Sequence, residues 1–167
     1  MGLLIAALGA TLAAIVEKSV LSNLLVGGVH PDLVLSLGVA MAMVLGFEQG
    51  IVWAVVGGLV LDFILAERVA GSTTLALLLC TGAALLIARL SEVPRLSIIA
   101  LSVFILTFVY QALLMSLIAV TTGAPLQPLT ALSYAVIGLM NAAIAVSAAW
   151  VARVLLDRFG TEGRVAW

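Results

Sequence analysis

One carboxylate, Asp62, stands inside the apolar run GIVWAVVGGLVLDFILA at positions 50–66. An ionised side chain in hydrocarbon must find water or a partner, so this residue carries the most information in the chain. A proton or ion relay would sit nearer the membrane midplane with further ionisable groups around it, and the run holds none. If the helix ends near Ala66, Asp62 lies four residues from that end, about 6 Å at ~1.5 Å per residue, and so near an interface. The residue types nearby suggest a structural role instead: Asp62 accepts hydrogen bonds from Ser72, Thr73 or Thr74 at the start of the next helix, or pairs with Lys18.

Other chemistries find little support. Hydrolysis by a serine inside the membrane needs a general base at the same depth, yet the single histidine, His30, precedes Pro31 in a turn and reads as a cap or a solvated interfacial residue. The Gly57-Gly58 pair follows no strand and precedes no Lys-Ser or Lys-Thr, so it is not a phosphate loop. A lone cysteine, Cys80, lies in an apolar run as a small hydrophobe and cannot form an internal disulfide. No metal-ligand spacing or cofactor motif occurs, and the expected protein is not an enzyme.

Composition decides what must position these residues. The chain is 65% hydrophobic and only 9% charged, with a mean hydropathy of +1.35, against about 25% charged residues in a soluble domain. Its surface must therefore be completed by lipid, as in a single integral-membrane domain. A net charge of -1 with no basic concentration argues against a nucleic-acid partner.

The spans follow from the breaks between apolar runs. Helices are expected at 2–21, 32–46, 49–66, 72–89, 96–120 and 131–156, giving an all-α polytopic bundle of six transmembrane helices with a polar tail at 157–167. The first run lacks a basic n-region, so it reads as a retained helix with Lys18 snorkelling to the interface beside Glu17 or another carboxylate. Pro31 and Asp32 open the second helix, the proline fixing φ and the aspartate capping free amides. That helix is short against the ~20 residues of a full span, so either the membrane is locally thin or the hairpin is re-entrant. Phe47-Glu48-Gln49 is expected to be the turn into the third helix.

Counting cations sets the orientation. Arg89, Arg95, Arg153, Arg158 and Arg164 share the side of the two termini, while Lys18 and Arg68 lie opposite, so both termini are expected in the cytoplasm. Trp53 and Trp150 are then expected at the cytoplasmic interface. Small residues at helical spacing, Ala54 with Gly58 and Gly138 with Ala142, Ala145 and Ala149, allow close helix approach, either within the bundle or to a partner's helix. Gln111 and Asn141 are mid-helix amides suited to bonding across helices.

The order Pro31-Asp32-Leu33, Gly46, Gly50, Gly58-Leu59-Val60-Leu61-Asp62, Gly71 and Leu75 resembles the MreD family of rod shape-determining membrane proteins. The likeness is close over about a third of the chain; Glu67-Arg68 stands where the family usually has small residues. It implies a non-enzymatic inner-membrane component of the bacterial elongation machinery. Such a component acts with MreC and, less directly, with the MreB filament, RodA and a class B transpeptidase in building lateral peptidoglycan. It also implies a fold similar to the six-helix substrate-binding subunits of vitamin-importing ECF transporters, which supplies the alternative function of small-molecule capture. The resemblance leaves homodimerisation open; its motif residues Asp62, Pro31, Asp32, Gly58 and Gly71, with Gly138 and Ala142 from the small-residue face of the sixth helix, are the candidates for structural or partner contacts.

Overall fold

A computed structural model describes residues 2–20, 29–64, 71–90, 95–123 and 130–159. They form six α-helices: α1 (Gly2–Ser19), α2 (Leu33–Leu45), α3 (Phe47–Ile64), α4 (Ser72–Arg89), α5 (Leu96–Thr122) and α6 (Ala131–Phe159). Five are long and apolar enough to cross a membrane; α2, with 13 residues, is not. The protein is a multi-pass membrane protein.

The packing order explains why α2 has no polar face. It touches each of the other five helices, which form an arc around it in the order α1, α3, α4, α5, α6; among the described residues α1 and α6 do not pack on each other. Its sequence, LVLSLGVAMAMVL, carries no charge, and Val34, Leu35, Ser36, Val39, Ala40, Ala42 and Met43 are all buried. A helix that is apolar on all sides belongs in an interior. By contrast α1 turns Leu4, Ile5, Leu8 and Leu12 outward and packs inward through Ala6, Ala10, Ala13 and Ala14. Hydrocarbon solvates the first set, and the alanines let the helix lie close to its neighbours.

Several boundaries differ from the sequence-based expectation. Phe47, Glu48 and Gln49 form the first turn of α3, and the reversal from α2 is made at Gly46, whose φ of 96° is open to glycine. The crossing that follows is tight: a Cβ on Gly50 would lie 2.6 Å from the Ala42 Cβ. α1 ends at Ser19 and α2 starts at Leu33, while α5 and α6 run on to Thr122 and Phe159, so Asp157 and Arg158 are helical and not part of a tail. The links expected between these helices at 22–28, 67–70, 91–94 and 124–129, and the segment 160–167, lie outside the described residues. Trp53 is set within the bundle. It is buried against Gly9 and Gly38, whereas Trp150 is 59% exposed. The missing Cβ of Gly9 on α1 leaves room for the indole, whose ring would lie 3.0 Å from a Cβ there.

Candidate functional site

Two polar knots hold the bundle, each built on a buried carboxylate. The first closes the α3–α4 hairpin. Asp62 is buried, and its Oδ2 accepts hydrogen bonds from the Gly71 N–H (3.0 Å), the Thr74 N–H (3.1 Å) and the Thr74 hydroxyl (2.8 Å), while Oδ1 accepts the Thr73 N–H (3.0 Å). These amides are the free donors of a helix N-terminus, where a negative charge is also favoured by the helix dipole. Gly71, at φ 95°, occupies the cap position and turns its own N–H toward the carboxylate.

Gly58 makes this reach feasible. It lies one turn before Asp62 on the same face of α3, and a Cβ there would stand 2.6 Å from the Thr74 Cα. The backbones of α3 and α4 therefore meet where only glycine fits. Of the partners weighed for Asp62, the structure places Thr73 and Thr74 on it; the Ser72 and Thr73 hydroxyls find no partner.

The second knot ties four helices at the N-terminus of α2. Asp32 precedes the helix with extended backbone (φ -94°, ψ 94°), yet its side chain makes no capping bond, contrary to expectation. Instead Asp32 Oδ2 accepts from Gln111 Nε2 on α5 (3.0 Å) and Asn141 Nδ2 on α6 (3.5 Å), and the Asp32 N–H donates to Asn141 Oδ1 (2.8 Å). Asn141 also donates to the Thr107 hydroxyl (3.1 Å), which donates in turn to the Val103 carbonyl (2.8 Å). The cap itself comes from another helix: Glu17 Oε2 on α1 accepts the Val34 N–H at 2.9 Å. Pro31 is buried beside the knot, and the half-buried His30 leaves Nδ1 without a hydrogen-bond partner.

Depth follows from α5. Thr107 and Gln111 lie 11 and 15 residues beyond Leu96, about 16 and 22 Å along a helix of roughly 40 Å. Measured along α5, α2 therefore begins well inside the helix ends, whereas along α1 it begins near the last turn, where Glu17 stands. A helix end buried among other helices must have its amides satisfied by side chains. Glu17 accepts the Val34 amide and Asn141 the Asp32 amide, at 4% and 0% exposure.

Glu17 is the residue that sequence reasoning misplaced. Next to Lys18 at the end of an apolar run it looks like an interfacial pair, and its true signal is the absence of any capping side chain at the start of α2 other than Asp32. Gly138 and Ala142 belong to neither knot. Gly138 is buried under Phe104, whose ring would lie 2.8 Å from a Cβ there, and Ala142 is half-buried. Gly138 thus serves α5–α6 packing, joined by Ala145 and Ala149, both fully buried.

The arrangement suits mechanical restraint. Each of the carboxylates of Glu17, Asp32 and Asp62 is faced by amide or hydroxyl donors from another helix or hairpin arm. Among the described residues no three His, Cys, Asp or Glu side chains converge on a point that could hold a metal ion. Compared with known protein families, curated proteins and solved structures, the chain gives no match.

Proposed function

We propose that the chain is a non-enzymatic assembly component of the bacterial cell-elongation complex, an MreD-type protein of the inner membrane with both termini in the cytoplasm. It binds MreC and helps couple MreB filaments, RodA and a class B transpeptidase to lateral peptidoglycan synthesis and cell shape. One observation carries this reading. Five of the residues on which the resemblance rests fall on the two knots, Pro31 and Asp32 at the start of α2 and Gly58, Asp62 and Gly71 across the α3–α4 hairpin, while Gly46 and Gly50 shape the tight α2–α3 reversal. The polar side chains are committed to holding helices at fixed angles, as a scaffold requires, and a six-helix bundle with an uncharged central helix is a rigid body for docking a partner's span.

The test is co-expression with MreC and affinity purification from detergent. MreC retained on the tagged chain, with loss of rod shape on deletion of its gene, is the expected result. Purification with a bound vitamin and an energising ATPase pair, and without MreC, would instead favour the fold's other use, substrate capture in an ECF-type transporter.

A further inference from the structure

We draw no further inference here: the strongest candidate, the half-buried apolar stripe of Leu33, Leu37, Met41 and Val44 on α2, the helix that the arc from α1 to α6 leaves open on one side, carries nothing because nothing in the structure shows what covers it.

Discussion

Removing the Asp62 carboxylate strands three backbone amides and a hydroxyl at the head of α4, with the Thr73 amide fully buried and the others half-buried. Each buried donor left unpaired costs about 1–3 kcal/mol, so Asp62→Ala should destabilise the protein severely in detergent melts. Asp62→Asn keeps one acceptor and presents an NH2 to the remaining donors, and it should fall between wild type and Asp62→Ala and weaken complex formation. A melting temperature for Asp62→Asn equal to wild type would remove Asp62 from the load it is assigned. Glu17 makes a narrower contribution. Glu17→Ala should leave the Val34 amide unsatisfied, cost about 1–3 kcal/mol, and speed hydrogen exchange at Val34 well beyond any change at Leu77 in α4. Uniform exchange across both sites would contradict a local cap. How legible these residues are depends on sequence distance. The Asp62 partners stand 11 and 12 residues away across a hairpin, near enough for helix ends and residue types to suggest them. Asp32 and Asn141 are 109 residues apart, and no local pattern distinguishes an aspartate that caps its own helix from one that reaches across to α5 and α6.

At the scale of elements, glycine positions separate packing from decoration. Gly58→Leu must place its Cβ against the Thr74 backbone, which cannot yield as a side-chain tip can, so it should part α3 from α4 and cost at least the 1–3 kcal/mol of an overpacked core. Gly82, within α4, would meet nothing within 4 Å, and Gly82→Ala should be neutral or stabilising by up to about 1 kcal/mol through helix propensity. Parallel melts of the two variants check the contrast; equal effects would mean that helix propensity, and not close approach, governs the glycines. The apolar runs announce the helices themselves, because hydrocarbon admits no other open structure. What composition cannot convey is which helix lies in the middle. The short α2 looks like a weak span by length, and only its packing against all five neighbours accounts for its uncharged sequence.

For the whole molecule, the account makes a topological and an associative prediction. With five of the seven cations on the side of the termini, a reporter fused after Trp167 should be active only when matured in the cytoplasm. Activity confined to the far side would invert the bundle and every assignment of inner and outer ends. The central claim is that a bundle whose buried polar groups serve as fastenings exists to present a fixed surface to a partner. Its most direct test is quantitative recovery of MreC on the tagged full chain, comparing wild type with Asp62→Asn under conditions where both remain folded. The account predicts near-stoichiometric MreC with the wild type and a clear reduction with the variant; absence of MreC from the intact, folded wild type would contradict it.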